Sequence, residues 1–217
     1  MERIQWITLL ITGLTIFLSF LGFQKKDLVW NHIFDVQRII QKRQYYRLLT
    51  SAFFHSNWTH LLFNMFSFYA FASYMESAVG STMLLLLYIL SILGGGLLSL
   101  GINHKREYLA LGASGGVSGV IFSSIFVFPG GAILVFPVPI PIPAWLYAVL
   151  FVLISMYGMR KQVGNIGHDA HLGGALTGLL FTLWVYPAVI LSDLIFFTSI
   201  VLAIMLFIGY VVIHPIK

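Results

Sequence analysis

Cysteine is absent from the chain, so no disulfide braces a loop and no thiolate can hold a structural metal. Charge is scarce too: 9% of the 217 residues are Asp, Glu, Lys or Arg, where an average soluble domain has about 25%. With 59% hydrophobic residues and a mean hydropathy of +0.93, the chain reads as a polytopic membrane protein rather than a soluble domain with a large core. Its length suits six or seven spanning helices of ~20 residues each plus loops. A basic patch interleaved with aromatics is also missing. The cations behind the formal charge of +5 stand beside apolar runs, which suits a membrane surface and argues against nucleic acid. No small-residue cleavage site follows the first apolar run, residues 4–23; Lys25, Lys26 and Asp27 do, so that run reads as a retained span.

Apolar runs then punctuate the chain. Spans are expected at 4–22, 58–79, 82–100, 114–128, 144–159, 168–189 and 191–213, the last two parted at Pro187 and Asp193. The one long polar region, 23–56, holds Lys25, Lys26, Arg38, Lys42, Arg43 and Arg47. It also holds Trp30, Phe34, Val36, Ile39 and Ile40, too much apolar surface for a free tether. Short amphipathic segments lying in the membrane interface are expected there. Alternating prolines in 137–143 forbid a continuing helix and favour an extended segment. The loops after the first, third and fifth spans share one side and hold ten of the twelve Lys and Arg, which by the positive-inside rule places that side in the cytoplasm.

Polar side chains inside spans are costly, so each asks for a partner or a task. His60 and Asn64, four apart, share a helix face. Ser114 opens a span within Gly112-Ala113-Ser114-Gly115-Gly116-Val117-Ser118-Gly119, and His171 lies in the first turn of another. Ser114 stands above Ser118 beside the row of Gly115 and Gly119; His171 stands above Gly174 and Gly178. Two such small-residue stripes allow backbone-to-backbone packing. That packing would bring a hydroxyl to an imidazole able to take its proton, with His60 and Asn64 as donors to an oxyanion. Taken singly, each has a plainer reading: the glycine stripe as packing, and His60, Asn64 and His171 as structural polar contacts. His55, His104 and His214, near loops or termini, are expected to be solvated. No His-Glu-x-x-His occurs and the histidine spacing suits no zinc site, so neither metal nor other cofactor is expected. Asp169, two residues from His171 on the far side of the helix, makes a poor third triad member.

At these residues the sequence resembles the rhomboid family of intramembrane serine proteases. Tyr46-Arg47 stands where the family has Trp-Arg. His55 and His60-Leu-Leu-Phe-Asn64 match its His…His-x-x-x-Asn, Gly112-Ala113-Ser114-Gly115 its Gly-x-Ser-Gly, and Ala170-His171 through Gly174 and Gly178 its Ala-His-x-x-Gly-x-x-x-Gly. Pro-Ile-Pro-Ile-Pro-Ala-Trp145 looks like bacterial members. The resemblance implies an all-α bundle of six core transmembrane helices (1–189, with an interfacial loop at 23–56) and an additional C-terminal helix (190–217). It implies Ser114 as nucleophile, His171 as general base, and His60, Asn64 and the Ser114 N–H as oxyanion hole. Arg47, His55, Gly112, Gly115, Gly174 and Gly178 would support them. Substrates would be single-pass membrane proteins cut within the lipid bilayer, and the motifs carry no implication for oligomeric state. The family arrangement sets the protein in a bacterial plasma membrane with the site facing outward, against the Lys and Arg count.

Two departures stand out. Tyr46 replaces tryptophan, and Ser118 stands where an aromatic often stacks on the catalytic histidine, so His171 needs another contact to orient it. Two other classes remain: a rhomboid-like pseudoprotease that binds unstable helices without cutting them, and a small transporter using His60, Asn64 and His171 as a polar path. No inverted repeat supports the transporter.

Overall fold

The computed structural model describes residues 4–128, 130–134, 140–161, 167–191 and 194–213. His214, Asp193 and part of the proline run lie outside them. The chain is largely helical. Helix α1 (Trp6–Gln24) leads into three short helices, α2 (Lys26–His32), α3 (Val36–Gln41) and α4 (Arg47–Thr50), and a 3-10 turn (Ser51–Phe53). Next come α5 (Trp58–Val79), α6 (Ser81–Asn103), α7 (Ser114–Val127), α8 (Ala144–Lys161), α9 (His168–Val185), α10 (Pro187–Leu191) and α11 (Leu194–Ile213). Two small antiparallel ladders interrupt them: β1 (Phe34–Asp35) on β2 (Leu109–Ala110), and β3 (Ala132–Leu134) on β4 (Pro141–Pro143). Helices α1 and α6 are long and apolar enough to cross a membrane; α7 and residues 194–209 are apolar but shorter.

Local chemistry accounts for several boundaries. Asn57 caps α5 by accepting from the His60 N–H at 2.8 Å, and Asp35 caps α3 through the Arg38 N–H at 3.0 Å. Gly80, at φ +83°, turns the chain from α5 into α6 in a single residue. The sixth expected span stops short of 189, because Pro187 cannot continue α9 and instead opens α10.

Helix α7 is the centre of the molecule, buried on every face from Gly115 to Phe126. It packs most extensively against α9 and α6, and glycine makes that possible. A Cβ on Gly174 would collide with the Gly115 carbonyl, and one on Gly178 with the Gly119 carbonyl. On the third side, a Cβ on Gly173 would lie 2.7 Å from the Gly94 oxygen, and one on Gly95 2.6 Å from the Ala170 oxygen. The three backbones therefore touch directly, as small residues permit in membrane helices.

Two polar keystones fasten the periphery. Glu76 of α5 accepts from the Ile7 and Thr8 N–H groups at 3.0 and 2.8 Å, and from the Thr8 and Ser81 hydroxyls at 2.7 and 2.6 Å. One carboxylate thus caps the start of α1 and joins it to α5 and α6. Arg47, 1% exposed, donates to the carbonyls of Trp30 and Ile33 at 3.1 and 2.7 Å and to Gln44 Oε1 at 2.7 Å. Its guanidinium gathers the short segments 26–50 around a small core of Phe34, Val36 and Ile39.

Candidate active site

Ser114 is the first residue of α7, where the leading backbone N–H groups of a helix have no partner within it. The loop before it is tightly held. Gly112, at φ +119°, donates its N–H to the Ser51 carbonyl at 3.1 Å. A Cβ there would lie 2.6 Å from His60 Cε1 and 2.8 Å from Nε2, so only glycine leaves room for that imidazole. The next N–H, of Ala113, points at His55 Nε2 at 3.4 Å.

His55 is 2% exposed, not solvated as expected from its place in a loop. Its Nδ1 lies 2.9 Å from Ser19 Oγ, which donates to the Phe53 carbonyl at 3.0 Å. An amide directed at Nε2 requires that nitrogen to accept, so the ring proton sits on Nδ1 and is donated to Ser19. Burial, helped by nearby His60, lowers the pKa of His55 to about 3 and keeps it neutral. A neutral imidazole thus pins the loop before Ser114 to α1. His104 is exposed, as expected, its ring resting on the Gly101 carbonyl at 2.7 Å.

The His60 ring stands edge-on to His55, centroids 4.9 Å apart, with Nδ1 3.3 Å from Ser56 Oγ. Asn64 is buried one turn on, and its amide donates to the His60 carbonyl at 3.0 Å. His171 lies in the first turn of α9, its N–H on the Gly167 carbonyl at 3.0 Å. The ring missing at Ser118 comes from another helix: Phe151 of α8 faces the His171 imidazole at 5.8 Å and 32°. Phe151 is itself braced by Phe122 at 5.1 Å and Tyr147 at 5.9 Å.

Ser114, His171, His60 and Asn64 all line one cavity of about 950 Å³, together with Gly112 and Gly115. Gly115 lies against the Ala170 carbonyl, so α7 and α9 meet at the turns bearing Ser114 and His171. Gly174 and Gly178 lie below, at the α7–α9 contact; Arg47 stands apart, in the segments flanking the cavity. Among the described residues no group of three or more His, Asp or Glu could hold a metal ion.

Several contributors escaped the sequence reading. Phe151 carries no signal beyond being one aromatic among many. Ser19 is an ordinary hydroxyl in an apolar run. Glu76 does carry one, as an acid inside an expected span.

The chain is similar to known proteins. The family model described as Rhomboid domain matches residues 42–188. Over 146 residues the chain is 30% identical to Rhomboid protein 1, mitochondrial, of Saccharomyces cerevisiae, covering 65% of this chain and 42% of that one. It is 29% identical over 193 residues to RHOMBOID-like protein 12, mitochondrial, of Arabidopsis thaliana, covering 80% and 56%. With Rhomboid-like protease 5 of Toxoplasma gondii it shares 29% over 153 residues, 68% of this chain and 17% of that one. The chain thus spans little more than half, or less, of the length of these relatives. A domain match across most of the chain, including every residue of the cavity's polar set, makes it a membrane protein of the rhomboid family.

Proposed function

We propose that the chain is an intramembrane serine endopeptidase, with six core spans and a seventh at the C-terminus, that hydrolyses peptide bonds in single-pass membrane proteins. The observation that carries this reading is the shared cavity: a hydroxyl at the start of α7 and an imidazole in the first turn of α9 open into one space, at the point where the two helices touch. His171 takes the proton of Ser114 Oγ as the oxygen attacks the scissile carbonyl carbon. The oxyanion forms beside the first turn of α7 and is met by the Ser114 N–H, with a ring N–H of His60 and the second N–H of the Asn64 amide. Collapse breaks the C–N bond and His171 returns the proton to the leaving amine. Water then attacks the acyl carbon as His171 takes its proton, the ester C–O bond to Ser114 breaks, and His171 returns the proton to Ser114 Oγ.

A helical substrate hides its carbonyls in internal hydrogen bonds and must unwind before one can enter. That requirement selects single-pass segments with helix-weakening residues. We place the protein in a bacterial plasma membrane with the cavity facing outward, the arrangement of the family it resembles; two of the first loop's six cations are tied within the loop, Arg47 to the Trp30 and Ile33 carbonyls and Arg38 to Asp35, which weakens the charge count as a guide to orientation.

The test is labelling of detergent-solubilised protein with a fluorophosphonate, followed by mapping of the modified residue. Modification at Ser114 that is lost in His171→Ala, with cleavage of a transmembrane reporter lost in Ser114→Ala, is the expected result. Wild-type protein that binds such helices but neither labels nor cuts them would be a binding protein instead.

A further inference from the structure

We propose that Asp169 is a positioning residue whose carboxylate ties the loop carrying the nucleophile to the helix carrying the base, an inference that rests on the serine protease reading. Asp169 is buried at 3% exposure in the first turn of α9, two residues before His171. Its Oδ1 accepts from the Tyr108 hydroxyl at 3.0 Å and from the Ala170 N–H at 2.9 Å, and its Oδ2 from Asn103 Nδ2 at 2.5 Å. Every one of these partners donates, the arrangement that suits an ionised carboxylate.

Two of the three, Asn103 and Tyr108, belong to the stretch of chain that delivers Ser114. Asn103 ends α6; its amide also donates to the Ser99 carbonyl at 2.8 Å, and its Oδ1 accepts from Arg106 Nε at 2.6 Å. Tyr108 begins the run into the nucleophile. Its carbonyl accepts from the Val36 N–H at 3.2 Å, the next two residues form β2 against β1, and Gly112 is fixed to Ser51. Burial and the neighbouring carboxylate raise the Tyr108 pKa, so the phenol stays a donor. From Tyr108 to Ser114 and from Asp169 to His171, then, two short tethers run from a single carboxylate to the two reacting groups.

The side chain of Asp169 leaves the helix about 200° around from that of His171. It therefore acts through the backbone of the first turn, not as the third member of a triad. Losing it releases the α9 turn from the loop, and leaves the half-buried Tyr108 phenol without this acceptor and the buried Asn103 amide with only the Ser99 carbonyl. A misplacement of about 1 Å between reacting groups costs roughly 10²-fold in rate.

The experiment measures kcat and KM on a transmembrane reporter for wild type, Asp169→Asn, Asp169→Ala, Tyr108→Phe and Tyr108→Phe/Asp169→Asn, with thermal unfolding of each. The ¹⁵N resonances of the His171 ring, assigned by their loss in His171→Ala, are recorded alongside. We expect Asp169→Ala to lower kcat roughly 10²-fold, KM to stay within about twofold, and the double variant to lose less than the product of its singles. The His171 resonances should move in Asp169→Ala and in Tyr108→Phe. Wild-type kcat in Asp169→Asn and Asp169→Ala, or a kcat that falls only with the folded fraction, overturns the role. If wild-type protein cleaves nothing, the protease reading fails on its own, and the His171 resonances still decide the tether: unmoved by both substitutions, they refute it.

Discussion

Gly174→Ala is the sharpest mechanical test of how α7 and α9 are joined. The new methyl would be built onto the Gly115 carbonyl, a backbone atom that no rotamer change can move aside. Ordinary van der Waals contact needs 3.4–4 Å, so the helices must part by on the order of 1 Å, and overpacking of this kind costs about 1–3 kcal/mol. The parting occurs one turn below His171 and beside Ser114. A Ser–His hydrogen bond has a working range of only about 2.6–3.2 Å. The same displacement should thus lower kcat roughly 10²-fold while KM, set by the cavity walls, changes little. Helix propensity pulls the other way, by up to about 1 kcal/mol in favour of alanine. The control is Gly13→Ala in α1, where a Cβ meets nothing within 4 Å. Thermal unfolding in detergent and reporter cleavage are measured on both. If Gly174→Ala proves as stable and active as Gly13→Ala, the contact of the two backbones is not what sets the site, and the reasoning is refuted.

Three further outcomes are expected. Phe151→Leu keeps an apolar side chain but removes the ring beside His171, so kcat should fall about tenfold, a loss of about 1.4 kcal/mol, with little change in unfolding temperature; wild-type kcat would mean that the ring contact is incidental. Glu76→Gln should lower stability by about 1–3 kcal/mol and leave the cleavage rate per folded molecule unchanged, since the carboxylate caps α1 far along the chain from Ser114. His55 has its folded pKa lowered from 6.5 to about 3. The unfolded chain therefore binds a proton first, and the stability this histidine contributes is present above about pH 6.5 and declines as pH falls towards 3, by at most about 1.4 kcal/mol per pH unit. Unfolding temperature should drop between pH 6.5 and pH 4 more steeply in wild type than in His55→Gln; parallel curves would refute the buried neutral ring.

Much of the architecture follows from composition and periodicity. A chain so poor in charge, with apolar runs near helix-spanning length, satisfies its backbone polar groups in helices, and the apolar runs mark them closely: the expected helix at 58–79 coincides with α5, and the helix expected from 114 begins at Ser114. The glycine stripes beneath Ser114 and His171 were legible for a local reason, since residues three and four apart share a helix face whatever the helix packs against. Short motifs, too, single out His60, Asn64, Ser114 and His171, four of the polar residues that line the cavity.

Contacts between residues distant in sequence emerge only in the folded chain. That His55 is buried against Ser19, that Phe151 supplies the ring absent at Ser118, and that Asp169 meets Tyr108 and Asn103 depend on how helices far apart in the chain come together. Sequence spacing reports neighbours along one helix. It is silent on which face of α8 meets α9, because packing partners are chosen by the fit of whole surfaces. Asp169 shows the difference most clearly: from its position beside His171 it fails as a triad member, and only the folded chain brings the stretch before Ser114 to its carboxylate.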